Sequence, residues 1–317
     1  MTSKVLIYQG NTTELFRHRL SSADTEKLLN PELEEVDLRY NPDADFSLVF
    51  KLNLKKLCLR GCELSSLKGL QTSRLEELDV SRNPLGHSGG LEVSSLLQST
   101  PTLLRLNVSD CDLSFDAFNA IIHASQNLIG LEISNPRIVS LGNEHCLHLA
   151  SILAKSNISK LNLSRATISD TGLGLLVSGL SLNLIDLDLS GNKLSFRGAA
   201  EIGKLLMLEG NKLARLNLHA NRLGCNGDRD SAVSLAEGLR HGNCNLYYLD
   251  LGKNSFSGRA LEIIGRSALS KLTELVLFEN HWDEEAIRNF QIMMQSSSTR
   301  VDFGIQEVPP CMHIFQA

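Results

Sequence analysis

Asn143-Glu-His145-Cys146-Leu-His148-Leu comes nearest to a metal-ligand set in the 317 residues. A helix would put His145 and His148, three apart, on one side, and imidazole with thiolate suits zinc. No further ligands stand at a matching spacing, so the stretch reads as a helix surface. Asp228 and Asp230 in Cys-Asn-Gly-Asp-Arg-Asp lack the later Glu that completes a calcium loop, and they read as an exposed loop. No Gly-rich phosphate loop, nucleophile elbow or H-E-x-x-H occurs. Catalysis has thin support, and neither a cofactor nor a metal is implied.

What could position chemistry is more legible. Leu184-Ile-Asp-Leu187-Asp-Leu189-Ser-Gly-Asn192-Lys-Leu194 has the spacing L-x-x-L-x-L-x-x-N-x-L, in which a short strand is followed by a turn. The second apolar position recurs as Val36, Leu57, Leu78, Leu106, Leu131, Leu161, Leu187, Leu216, Leu249 and Leu275. Leu6 keeps the same spacing before them and Val301 after them. The first two intervals are 21 residues, leaving room for a turn, and the later ones are 25 to 33, enough for an α-helix of two to three turns. Ala200, Ile202, Leu205 and Leu206, then Ala232, Leu235, Ala236 and Leu239, then Leu261, Ile263 and Ile264 give those later segments an apolar stripe at helical period.

Asn41, Asn83, Asn192, Asn221, Asn254 and Asn280 stand at the turn after the strands, and Cys62 and Cys111 replace Asn in two repeats. A buried side chain that satisfies peptide groups explains the Asn, and Cys is a small, weaker substitute. Residues 12 to 30, with Leu15, Phe16, Leu20, Leu28 and Leu29, suit a helical first return segment. Glu284 to Met294 suits a last helix with a wide apolar face, and Pro309-Pro310 opens a loose tail.

The chain carries 36 acidic against 31 basic residues, a formal charge of -5, which offers no electrostatic footprint for nucleic acid. The seven cysteines are scattered without a C-x-x-C pair and read as reduced thiols of a cytoplasmic protein. The apolar run Val5 to Tyr8 is too short for a signal peptide or a membrane span, so no membrane partner is expected.

Taken together, the repeats resemble those of leucine-rich-repeat proteins of the ribonuclease-inhibitor type, a group shared with NOD-like receptor repeat regions and Ran GTPase-activating proteins. Leu187-Asp-Leu-Ser-Gly-Asn-Lys-Leu-Ser-Phe-Arg-Gly-Ala-Ala-Glu-Ile carries the nearest match. The resemblance implies an α/β leucine-rich-repeat solenoid, a curved horseshoe with a parallel concave sheet. Its convex side is irregular in the early repeats and helical in the later ones. One domain would fill residues 1 to 317: a cap or first repeat over 1 to 30, ten repeats over 31 to 295, and a final strand and tail over 296 to 317. It further implies a non-catalytic scaffold that binds a partner protein on the concave face, as a monomer, in the cytoplasm of its own cell or of a host that receives it as an effector. The alternative it suggests is a GTPase-activating protein, with Arg137 in the enlarged repeat after Leu131-Glu-Ile-Ser-Asn-Pro supplying charge to phosphoryl transfer.

On such strands the residues between the leucines face away from the core and form columns. One column holds Asp37, Cys58, Asp79, Asn107, Glu132, Asn162, Asp188, Asn217, Asp250, Val276 and Asp302, and its acids would suit a basic partner. The next holds Arg39, Arg60, Ser81, Ser109, Ser134, Ser164, Ser190, His219, Gly252 and Phe278, whose serines would leave a smooth floor. Tyr247 and Tyr248 with Phe278 and His219 form the main candidate contact, since aromatic side chains commonly anchor interfaces. Arg39 and Arg60 form a second, and Asp188 and Asp250 join the first. Trp282 and Phe256 occupy a core position.

Overall fold

The computed structural model describes residues 4–8, 20–71, 73–136, 142–180 and 183–303. The chain divides into two compact units, Met1–Ala166 with Ser178–Leu184, and Thr167–Val177 with Ile185–Ala317.

In the first unit the elements run β1 (Val5–Ile7), α1 (Ser22–Leu28), β2 (Glu35–Asp37), α2 (Phe46–Val49), β3 (Lys56–Cys58), β4 (Glu77–Asp79), α3 (Gly86–Ser99), β5 (Arg105–Asn107), α4 (Phe115–Ala124), β6 (Gly130–Glu132), α5 (Asn143–Leu153) and β7 (Lys160–Asn162). Helix α6 (Asp170–Gly179) follows. The second unit continues with β8 (Asp186–Asp188), α7 (Phe196–Met207), β9 (Arg215–Asn217), α8 (Asp228–Arg240), β10 (Tyr248–Asp250), α9 (Gly258–Ala268), β11 (Glu274–Val276), α10 (Glu284–Met294) and β12 (Arg300–Asp302).

Within each unit the strands pair in parallel and in chain order, with the predicted markers opposite one another: Val36 with Leu57 in the first, Leu216 with Leu249 in the second. Leu6 and Val301 are likewise the middle residues of β1 and β12. Each of the ten markers is buried while its strand neighbours mostly stay half-exposed, which is what alternation along a strand demands.

The two 21-residue repeats return through the four-residue α2 and then, among the described residues, through no helix; from Gly86 onward every return is a helix of 10 to 14 residues. Ile202, Leu205, Leu206, Leu235, Leu239, Leu261 and Ile264 are buried. Ala200 and Ile263, which the helical period also gathered, sit half-exposed at the stripe's margin. Side-chain oxygens of Ser114, Ser195, Ser257 and Asp283 cap the starts of α4, α7, α9 and α10 by accepting first-turn N–H groups.

The turn asparagines satisfy the backbone of two repeats at once. Asn83 is buried, accepts from the Cys62 and Leu64 N–H groups at 2.9 and 3.0 Å, and donates to Leu59 and Val80 carbonyls at 2.8 Å. Asn221 and Asn254 repeat the pattern. Cys62 and Cys111 donate their thiols to the Leu38 and Val80 carbonyls at 3.1 and 3.2 Å, and so keep the donor half of the arrangement. Burial pushes their pKa up to about 11 and about 12. Pro136 and Ala166 take the same position in the next two repeats, where a side-chain donor is lost altogether.

Leu20 is buried and Leu28 is 38% exposed; Leu15, Phe16 and the tail with Pro309 and Pro310 lie outside the described residues. Helix α10 has a narrower apolar face than its sequence suggests: Ala286 and Phe290 are buried, yet Ile292 is 64% exposed. Edge-on contacts join Trp282 to Phe290 and to Phe303, with ring centroids 5.4 and 5.3 Å apart. Among the described residues no helix is long and apolar enough to cross a membrane.

Candidate functional site

The open face of the second unit's sheet is a grid. Register places Asp186, Arg215, Tyr248, Glu274 and Arg300 in one row and Asp188, Asn217, Asp250, Val276 and Asp302 in the next. Ser190, His219, Gly252 and Phe278 follow two residues further along each strand.

Arg215 holds the two tyrosines together. Its guanidinium carbon lies 4.1 Å from the Tyr248 ring centre and 5.8 Å from that of Tyr247, while its Nε stands 3.7 Å from Asp186 Oδ2. Tyr247 is 44% exposed, and Ile185, in the equivalent position two repeats earlier, is 43% exposed. Tyr248 is half-buried, and burial, then the nearby Asp250 charge, raises its hydroxyl pKa.

His219 and Phe278 stack with centroids 5.0 Å apart, and His219 Nδ1 is 3.8 Å from Asp250 Oδ1. That distance is too long for a hydrogen bond, and Nδ1 is buried without a partner. Gly252 makes the arrangement possible: a Cβ there would lie 2.8 Å from His219 Nδ1, 3.0 Å from Phe278 Cε1 and 3.1 Å from Asp250 Oδ1. The Asp250 carboxyl is driven above the usual range by burial, with Asp188 and Asp302 adding to the rise, while the Gly252 N–H and His219 oppose it.

The column of acids has a structural component. The side chains of Asp79, Asn107, Asn162, Asp188, Asn217 and Asp250 each accept the backbone N–H two residues on, at 2.8 to 3.0 Å, and Asp37 accepts that of Arg39 at 3.2 Å. Such local bonds fix the chain leaving the strand, and Asp and Asn serve equally.

In the first unit the two arginines differ. The Arg39 Nε lies 3.0 Å from both Asp37 carboxylate oxygens and its Nη2 2.5 Å from Oδ2, a closed pair. Burial alone would raise Asp37, but Arg39 outweighs it and holds the carboxyl below its ordinary value. Arg60 instead donates to neutral oxygens, Tyr40 Oη at 3.0 Å and Ser81 Oγ at 3.4 Å. Tyr40 sets the Cδ1–Cε1 edge of its ring against Gly61, whose φ of +64° and absent Cβ leave room for it. The charged patch around them is internally neutralised, Lys56 lying 3.1 Å from Glu35 and Arg105 pairing with Glu77. The serine row is open only in part: Ser81 is buried under Arg60, and Ser109 is buried with its Oγ accepting from the Ser134 N–H, while Ser134, Ser164 and Ser190 are half-exposed.

The remaining sequence candidates separate. Cys146 is buried in the core, His145 lies against Phe115 and accepts from the Gly142 N–H, and His148 faces His123. Among the described residues no group of three or more His, Cys, Asp or Glu could hold a metal. Asp228 and Asp230 form the first turn of α8 rather than an exposed loop, because Asp228 accepts from the Ser257 hydroxyl of the next repeat. Phe256 is fully buried. Arg137 lies outside the described residues. Sequence reasoning missed Arg215, Ile185 and the role of Gly252. Arg215 was within reach, being the residue before the marker Leu216 and in register with Tyr248.

No family model matches the chain. It is 30% identical over 226 residues to ribonuclease inhibitor of Sus scrofa, covering 63% of this chain and 48% of that protein. With NACHT, LRR and PYD domains-containing protein 9B of Mus musculus it shares 27% identity over 216 residues, 64% of this chain and 18% of that one. The chain thus spans about half the length of the first relative and a smaller part of the second. Among solved structures, the leucine-rich repeat-containing protein LegL7 of Legionella pneumophila superposes with a TM-score of 0.57 at 18% identity, covering 98% of this chain and 94% of that one. Folds of this kind generally serve as scaffolds for protein contacts. The chain is a leucine-rich-repeat α/β protein, with ribonuclease inhibitor and the repeat regions of NACHT, LRR and PYD proteins as its relatives over this stretch.

Proposed function

We propose that this chain is a non-catalytic scaffold whose repeats act as one domain, binding a partner protein on the open strand face. Tyr247, Tyr248, Phe278, His219, Asp188 and Asp250 form the main contact, extended by Arg215 and Ile185, with Arg60 as a secondary one. The observation that supports this most is the Arg215 sandwich, which pre-orders two partly exposed tyrosines on one rung and lowers the entropy lost on binding. Arg39 contributes less, because Asp37 already satisfies it. Cytoplasmic residence, in its own cell or a host, fits six described cysteines that form no disulfide. The test is affinity capture followed by titration of the isolated partner against Tyr247→Ala/Tyr248→Ala. A loss of ten-fold or more is expected, and unchanged affinity overturns the reading.

A further inference from the structure

We infer, resting on that reading, that Asp188 and Asp250 receive Lys or Arg side chains of the partner protein. The starting point is that the fold asks for an acceptor at these positions and not for a charge. Asn107, Asn162 and Asn217 make the same bond to the second N–H onward that Asp188 and Asp250 make. Aspartate in place of asparagine at 250 adds a charge to a residue only 8% exposed, with Asp188 and Asp302 in the same row. That is unfavourable in the free protein.

No Lys or Arg among the described residues lies within ion-pair distance of Asp188 or Asp250. The cations nearby are engaged or displaced: Arg215 by the tyrosine rings and Asp186, Lys253 by Glu279 at 3.2 Å, while Arg300 stands in the other row beside Glu274. His219, stacked on Phe278, approaches Asp250 without bonding it. The charges facing His219 across the sheet are therefore Asp250 on β10, Asp188 on β8 and, beyond Phe278, Asp302 on β12. A guanidinium or ammonium arriving from outside would meet two carboxylates with no Lys or Arg partner among the described residues, two strands or roughly 10 Å apart, of which Asp188 also accepts from the Asn217 side-chain amide at 3.0 Å. An apolar or acidic segment would leave the carboxylates buried and unpaired.

The probes are fluorescein-labelled pentaarginine, pentalysine and pentaglutamate, read by anisotropy at low salt against the full chain. The basic peptides should bind and pentaglutamate should not. Asp188→Asn/Asp250→Asn, which keeps the strand-end bonds, should weaken pentaarginine at least ten-fold, while Glu209→Gln/Glu237→Gln, which removes as much charge elsewhere, should change it less than two-fold. Equal losses in the two variants, or none in the first, would overturn the assignment. With an isolated partner, sensitivity to the tyrosine change but not the aspartate change would leave the face standing and sink its cation-receiving role. Insensitivity to both would sink the face itself.

Discussion

The Arg215 guanidinium lies over the Tyr248 ring at 4.1 Å, so one side chain from β9 sets the orientation of an aromatic on β10. A cation over an aromatic face at a partly exposed site is worth about 0.5 to 1 kcal/mol. Urea denaturation of Arg215→Ala, Tyr248→Leu and the double variant should show a coupling of that size. Coupling indistinguishable from zero would mean that the stacking orders nothing.

Gly252→Ala should lower stability by about 1 to 3 kcal/mol, because the new methyl meets three side chains at 3.1 Å or less. The strain would be relieved by moving His219 and Phe278, so their ring signals in NMR spectra should shift while distant ones stay put. A variant as stable as wild type would show that the rings yield freely.

Asp250→Asn tests the buried charge through pH. Because burial holds this carboxyl above its ordinary value, the folded protein keeps a proton that the unfolded chain has already lost. Stability from this group is therefore greatest below the ordinary aspartate value of about 3.9 and declines as pH rises from there through the raised one. The variant should be flatter over that window and more stable than the wild type at pH 7. A steeper fall with rising pH in the variant would contradict the assignment.

Asn83→Ala should cost about 2 to 5 kcal/mol, since it strands two buried N–H groups and two carbonyls from adjacent repeats at once. Thermal unfolding would register the loss. A cost below 1 kcal/mol would imply that water replaces the amide.

The repeat positions were legible because a leucine every turn of the coil has to be buried for any repeat to be stable, and the ten markers from Val36 to Leu275 obey that rule, while Leu6 and Val301 at the two ends are half-exposed. The switch of return segments from turn to helix followed from length alone. The environment of the face was not legible. Alternation says that Arg39 and Arg60 point outward, but not that Asp37 grips one while Tyr40 and Ser81 hold the other. Nor could it show that Asp188 shares its backbone task with Asn217, which separates its hydrogen bond from its charge. Pairings between side chains on different strands depend on rotamers, and periodicity carries no record of them. Among the described residues no helix follows α10, and Ile292 stays exposed.

The thiols that stand in for asparagine have a consequence for following the molecule in solution. Cys62 and Cys111 are buried, and at neutral pH they hold almost no thiolate, the form that alkylating reagents attack. They react only when their own repeat opens. Labelling rates at these two native positions therefore measure the local opening free energy of the early rungs, with no foreign probe introduced.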